Sequence, residues 1–183
     1  KSFGLISLLQ ATENSVNTVF IDVASTIGIG KVFDSTLRAG IPADTPGMIN
    51  DITLVLGTAS PHVIDVASAY ATFAANGIYA KPYLISQVLG SNNGVLYEGR
   101  PQTQEVFAAD VMADLTYALK NVVTNGSGFA ALKLGRPVAG KTGTSQSNAS
   151  AWFSAYTPQL AASVALFRDD ATQSLKGVGG LAT

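Results

Sequence analysis

Apolar residues recur at helical spacing from Ser7 to Gly28, except where Asn14-Ser15-Val16-Asn17 sets three polar side chains close together. This pattern predicts a helix from about Ser7, a break near Asn14, and a second helix from about Val16 to Ile27. Lys31 to Arg38 predicts a short helix, ended by Gly40 and Pro42, and Ala43 to Asn50 a loop turning at Pro46-Gly47. Ser60-Pro61 reads as a helix start, a hydroxyl cap followed by proline at the first helical position. Val63, Val66, Ala67, Tyr70, Phe73 and Ala74 then share one face, and Gly77 supplies the stop after Asn76. Tyr83 to Gly90 and Val95 to Glu98, around Asn92-Asn93-Gly94, predict a β-hairpin. Thr103 is placed as the cap of a long helix to about Val123, with Phe107, Val111, Leu115, Leu119 and Val122 inward. Thr124 to Leu134 reads as a loop of glycine and small residues. Val138 to Thr144, Ala151 to Tyr156 and Ala161 to Phe167 predict strands, the last two joined by a turn at Thr157-Pro158-Gln159. Without internal repeats, charge blocks or a linker, the chain reads as one α+β domain, helices first and an antiparallel sheet late.

Composition adds one unusual feature. Charged residues are only 13% of the 183, against roughly a quarter in ordinary soluble domains. Hydrophobic residues reach 47% and mean hydropathy is positive, yet no apolar run approaches the roughly 18 residues of a membrane span. The shortage of charge predicts surface that other polypeptide covers, visible as apolar patches. A net charge of −1 gives no electrostatic reason to expect nucleic acid. The absence of cysteine removes disulfide and thiolate chemistry, and a single histidine, His62, argues against an all-protein zinc site. No targeting segment is visible, and Lys1-Ser2-Phe3-Gly4 does not read as a natural start.

Candidate chemistry concentrates in Gly135 to Ser145, which holds Lys141-Thr142-Gly143 followed by Thr144. Gly135, Gly140, Lys141 and Thr142 satisfy the G-x-x-x-x-G-K-[ST] pattern of a phosphate-cradling loop. Such a loop needs a strand before it and a helix after it, whereas Gly143 to Asn148 is a poor helix former. The strand end Val164 to Asp169 would be that reading's metal-binding acidic segment. A second reading takes the tetrapeptide as the Lys-Thr-Gly strand of penicillin-recognising serine enzymes. A third makes Lys141 a solvated strand-end lysine, with Thr142 and Thr144 ordinary strand formers.

Ser15-Val16-Asn17 upstream and Lys141 to Thr144 downstream give the chain a wider likeness. It resembles the transpeptidase domain of penicillin-binding proteins, whose motifs are Ser-x-x-Lys, Ser-x-Asn and Lys-Thr/Ser-Gly. Ser60 to Gly77, Lys81 to Ile85, Gly135 to Thr144 and Ala151 to Leu160 also look like the bifunctional class A members, so the resemblance spans essentially the whole chain. One motif is missing. No serine has a lysine three positions later, and Ser35, with Arg38, comes nearest. The resemblance therefore implies that residues 1–183 are part of a transpeptidase domain, with the Ser-x-x-Lys segment upstream. The glycine-rich Gly177 to Gly180 is expected to lead into further structure.

The resemblance implies the penicillin-binding and serine β-lactamase-like fold and a D,D-transpeptidase acting on peptidoglycan stem peptides. It implies acylation by β-lactam antibiotics; no cofactor is expected and, from the charge, no nucleic-acid partner. It also implies the missing part of the same domain as a partner, a glycosyltransferase domain in the full-length protein, and a membrane anchor on the extracytoplasmic face. By the same likeness Ser15 relays a proton, Lys141 holds it, and Asn17 orients the substrate amide and a neighbouring lysine. Thr142 and Thr144 receive the terminal carboxylate, with Gly143 allowing close approach and the Thr144 N–H serving the oxyanion. A non-catalytic penicillin-recognising sensor and a serine β-lactamase are alternatives; for the latter only Glu98 and Glu105 lie between the two motifs. Taken without context, Ser15 and Asn17 suit helix caps. Glu13 suits a capping or solvated role, His62 an exposed one, and Trp152 and Tyr156 sheet packing. Gly28-Ile29-Gly30-Lys31 is too short for a nucleotide site.

Overall fold

A computed structural model describes residues 3–170 and 173–178. The terminal calls on Lys1, Ser2, Gly179 and Gly180 lie outside the described residues. The chain opens with α1 (Leu8–Asn14), α2 (Asn17–Ile27) and α3 (Ile29–Arg38). Ser7 starts α1 with a capping box: its hydroxyl accepts from the Gln10 N–H, and the Gln10 side chain accepts from the Ser7 N–H. The predicted break falls at Ser15 and Val16.

The next helix, α4 (Val63–Ala74), begins later than Ser60-Pro61 predicts. Ser60 donates its N–H to Pro46 across the loop, at 2.8 Å, and the proline after it favours extended backbone at Ser60. His62, exposed, becomes the cap residue instead of a helical one. The inward face of α4 also differs from the apolar stripe in the sequence. Its buried residues are the small Ser68, Ala69 and Thr72, with Ala69 packed against Ala39, Ile41, Met48 and Leu54. Thr72 tolerates burial because its hydroxyl donates to the Ser68 carbonyl. Tyr70, Phe73 and Ala74 still pack partly buried against the core.

The largest correction lies at Thr103. It caps no helix but opens β4 (Thr103–Glu105), which pairs antiparallel with β1 (Ile78–Ala80), a strand the sequence pattern does not reveal. Helix α5 starts only at Ala109 and runs to Thr124. The register decides this, because Ile78 faces Glu105 and the Val106 and Phe107 amides both donate to the Gly77 carbonyl. Val111, expected inward, is exposed, while Met112 and Val123 join Leu119 and Val122 in the interior. Residues Phe129–Leu134, read as loop, form a 3-10 turn. The predicted hairpin exists in shortened form as β2 (Gln87–Leu89) and β3 (Val95–Glu98), with Asn92 Oδ1 accepting from the Gly94 N–H in its turn.

The late sheet follows the prediction. Strands β5 (Ala139–Thr144), β6 (Ser150–Thr157) and β7 (Leu160–Phe167) form one antiparallel sheet in that order. Strand alternation divides its residues between two faces. On one, Ala139, Tyr156 and Ala161 pack with Leu119, Leu115 and Tyr70 of α5 and α4. Tyr156 donates or accepts a 2.7 Å hydrogen bond with Thr116, and burial pushes its ionisation up. On the other face, Val138, Phe153 and Ala155 meet Val123 and Ala131 near β5. Farther along that face Leu160, Val164 and Leu166 of β7 are 69%, 57% and 45% exposed, the apolar surface that the low charge content predicts.

Gly77 is the tightest joint in this frame. Its φ is +90°, and a Cβ there would sit 2.2 Å from the Phe107 carbonyl oxygen. Gly77→Ala should cost roughly 1–3 kcal/mol, read as a lower urea midpoint; an unchanged midpoint would show that the β1–β4 junction can shift freely.

Candidate active site

Ser15 occupies the corner between α1 and α2 with φ +54° and ψ +50°, a left-handed conformation uncommon for a residue with a Cβ. It is the C-terminal cap of α1 through its backbone only. Its hydroxyl accepts a 2.8 Å hydrogen bond from Lys141 Nζ, across 126 positions of sequence. Asn17 is the first residue of α2, whose cap residue is Val16 without a side-chain bond. Neither polar side chain of the Ser-x-Asn run is therefore spent on capping, and both remain available for chemistry.

Lys141 lies within β5, opposite Ser154 of β6. That position ends the phosphate-loop reading: the lysine and Thr142 sit in a strand, where no helix N-terminus begins. Lys141 is half-buried and also donates to the Thr142 carbonyl at 2.9 Å. Among the described residues no carboxylate pairs with it. Burial without a counter-charge lowers the affinity of its amine for a proton.

The remaining candidates gather on the same strand with different partners. Thr142 shares a 2.7 Å hydrogen bond with the Ser127 hydroxyl. Gly143 faces Trp152, and a Cβ there would stand 3.3 Å from the Trp152 Cβ, so crowding within the sheet also favours glycine. Thr144 ends the strand exposed. Asn17 lines an open hollow with Ser15, Thr18 and Phe3; its amide reaches neither Ser15 nor Lys141. Trp152 and Tyr156 are half-buried and buried in the sheet, as packing residues should be. Glu13 contributes its backbone carbonyl, not its carboxylate, by accepting from the Ser127 N–H at 3.2 Å.

Ser127 is the residue that sequence reading missed. The signal available was Gly126-Ser127-Gly128 at the end of a long helix and shortly before the lysine strand. Gly126 explains that composition, since a Cβ there would lie 2.4 Å from the Glu13 carbonyl oxygen. The loop from 125 to 128 thus touches the α1–α2 corner with its backbone and β5 with a side chain. The shared strand edge presents an amine, several hydroxyls and free backbone groups on a helix-backed antiparallel sheet. Groups of this kind can move a proton and stabilise developing negative charge.

Comparison with known proteins gives this arrangement a family. Residues 2–172 match the penicillin binding protein transpeptidase domain, and the chain belongs to that family. It is 32% identical over 181 residues to penicillin-binding protein 1A of Mycobacterium tuberculosis, covering 88% of this chain and 22% of that protein. The chain spans about a fifth of the length of the curated relatives it matches. Among solved structures, penicillin-binding protein 1A from Haemophilus influenzae superposes with a TM-score of 0.86 at 20% identity, over 94% of this chain and 31% of the other. The penicillin-binding protein PonA1 from Mycobacterium tuberculosis gives 0.82 at 28% identity, over 96% and 51%. PonA1 has also been solved in complex with penicillin V.

The left-handed corner separates function from stability at Ser15. Ser15→Gly should keep or raise the melting temperature, because glycine adopts this conformation without strain, while Ser15→Ala should not raise it. A clear loss of stability in the glycine variant would mean that the Lys141 bond outweighs the backbone strain.

Proposed function

We propose that residues 1–183 form the later part of a peptidoglycan D,D-transpeptidase domain, whose serine nucleophile lies on polypeptide outside this chain. The observation that carries the proposal is the Lys141 Nζ to Ser15 Oγ hydrogen bond, 2.8 Å long. It joins the Ser-x-Asn and Lys-Thr-Gly-Thr runs into one edge, in a chain that contains no Ser-x-x-Lys. The family match supports the same reading, as does PonA1 with its penicillin V complex. The exposed apolar face of β7 offers surface for the segment that carries the nucleophile.

In this reading the external serine attacks the carbonyl of the D-Ala-D-Ala peptide bond. The Thr144 N–H supplies one donor for the oxyanion that forms, and the nucleophile's own N–H the other. The carbon–nitrogen bond then breaks, and the proton given up by the attacking serine hydroxyl, relayed through Ser15, passes to the leaving D-Ala nitrogen. Lys141 donates to Ser15, and its positive charge lowers the cost of negative charge building nearby. A stem-peptide amine takes the acyl group by the reverse sequence and restores the serine. Asn17, whose amide is unengaged at the corner, orients the substrate amide; Thr142 and Thr144 receive the terminal carboxylate. An extended stem peptide lies along the free edge of β5, with β-lactams occupying the same place. The complete protein works at the extracytoplasmic face of the membrane, where peptidoglycan is assembled. Among the described residues no helix is long and apolar enough to cross a membrane.

For the β-lactamase alternative, neither glutamate between the two motifs is placed beside Ser15 or Lys141 among the described residues. Glu98 pairs with Arg100 on the β2–β3 hairpin, and Glu105 belongs to β4.

The direct test is incubation of the full-length protein with penicillin V, followed by denaturing mass measurement and peptide mapping. A single adduct on a serine outside these 183 residues is expected. An adduct on Ser15 or another serine of this chain would overturn the assignment.

A second prediction uses the lowered pKa of Lys141. Folded, its ammonium is more acidic than when unfolded, so the cost of burying the charge is full at neutral pH. Stability therefore rises as pH climbs from the depressed value to the ordinary lysine value, where both states have lost the proton. Lys141→Met should remove that dependence and melt no earlier than the parent at pH 7, yet acylate at least about a hundredfold more slowly. The alkaline limb of the parent's acylation profile should lie below the ordinary lysine range. A Met variant that acylates normally would remove Lys141 from the mechanism.

A further inference from the structure

The geometry points to Ser127 as a specificity-determining positioning residue, which turns the Thr142 hydroxyl toward the substrate carboxylate. This inference rests on the transpeptidase reading above and deepens it.

The Ser127 and Thr142 hydroxyls are 2.7 Å apart. Together they carry two O–H protons, and one is consumed in the bond between them. The pair therefore has a single outward donor. If Ser127 donates to Thr142, the threonine proton is directed away from Ser127 and is free for a ligand. Without Ser127, Thr142 is a free rotor that can spend its proton on water. An ordered donor chain of this kind also strengthens its last member.

Ser127 is unusually well held for an exposed loop residue. Its N–H donates to the Glu13 carbonyl, two residues before Ser15. Gly126 lies against that same carbonyl, with no room for a Cβ, and the Gly128 N–H donates to Val122 at the end of α5. The serine is thus referenced to the corner that sets Ser15 and, through its hydroxyl, to the strand that sets Lys141. These backbone bonds do not involve the side chain, so removing the hydroxyl leaves the tether in place.

The neighbouring charge identifies the ligand as an anion. Lys141 has three N–H donors and uses two, on Ser15 Oγ and the Thr142 carbonyl. It is half-buried and unneutralised among the described residues. A carboxylate arriving at Thr142 meets both an aimed hydroxyl and an uncompensated ammonium. An ester at the same position would keep the shape but lose the charge, and with it most of the benefit from the aimed donor.

The test compares penicillin V with its methyl ester on the full-length protein, by second-order acylation rate. Variants are Ser127→Ala, Ser127→Thr, Thr142→Val and the Ser127→Ala/Thr142→Val pair. Ser127→Ala should slow the acid about ten- to a hundredfold, as expected for a bond to a charged group, and leave the ester nearly unchanged. Ser127→Thr should restore most of the rate. In the Thr142→Val background, Ser127→Ala should add little, because the hydroxyl it positions is gone. Equal losses for acid and ester, or full additivity in the pair, would assign Ser127 a merely structural role and overturn the inference. If the parent protein reacts with neither compound, the transpeptidase reading itself fails. If the parent reacts and Ser127→Ala matches it on the acid, only the role of Ser127 fails.

Discussion

The rest of the site depends on a half-buried lysine that pairs with no carboxylate among the described residues. An ammonium taken partly out of water needs replacements for its lost hydration. Lys141 finds them in the Ser15 hydroxyl and the Thr142 carbonyl, neutral groups that engage two of its three N–H bonds without cancelling its charge. The positive potential is therefore left for whatever approaches the edge of β5. A carboxylate partner would have steadied the lysine and spent that potential. In the proposed reading, the arrangement gives up some stability to keep a site that attracts anions.

Holding that lysine requires two distant parts of the chain to meet at fixed spacing. The capping box at Ser7 starts α1, and the left-handed turn at Ser15 ends it where the serine hydroxyl faces the strand. On the other side, β5 is kept in register by β6, and the sheet is backed by α4 and α5 through Tyr70, Leu119 and Tyr156. The loop after α5 closes the circuit. Its backbone reaches Glu13 and its Ser127 side chain reaches Thr142, so helix corner and strand are referenced to each other twice. Glycine at 126 permits that approach. Glycine at 140 does the same inside the sheet, where a Cβ would sit 2.7 Å from that of Ala155.

Local patterns with their own chemistry were legible in the sequence. The break at Ser15, the turn at Asn92 to Gly94, the stop at Gly77 and the three late strands each follow from residues a few positions apart. The errors share a different origin. Thr103 and Ser60 both look like helix caps, and both were claimed by partners far along the chain: Ala80 of β1 for one, Pro46 for the other. In α4 the apolar stripe is present but half-buried, while the fully buried positions are the small Ser68, Ala69 and Thr72, Ala69 lying against Ile41, Met48 and Leu54. Which positions of a helix are buried depends on the surfaces that pack against it, and one strip of sequence does not contain them.

The site divides along the same line. The residue types of Ser15, Asn17, Lys141, Thr142, Gly143 and Thr144, and their order, are properties of the sequence, as is the absence of a Ser-x-x-Lys. So is the shortage of charge that the bare apolar face of β7 reflects. Only the tertiary structure decided that the Ser15 and Asn17 side chains cap no helix, that Lys141 meets no counter-ion among the described residues, and that Ser127 lies beside Thr142. Motifs record which groups are present. Whether a hydroxyl is spent on a helix end or kept for a ligand depends on what folds against it, and that is set by contacts as far apart as the 126 positions between Ser15 and Lys141.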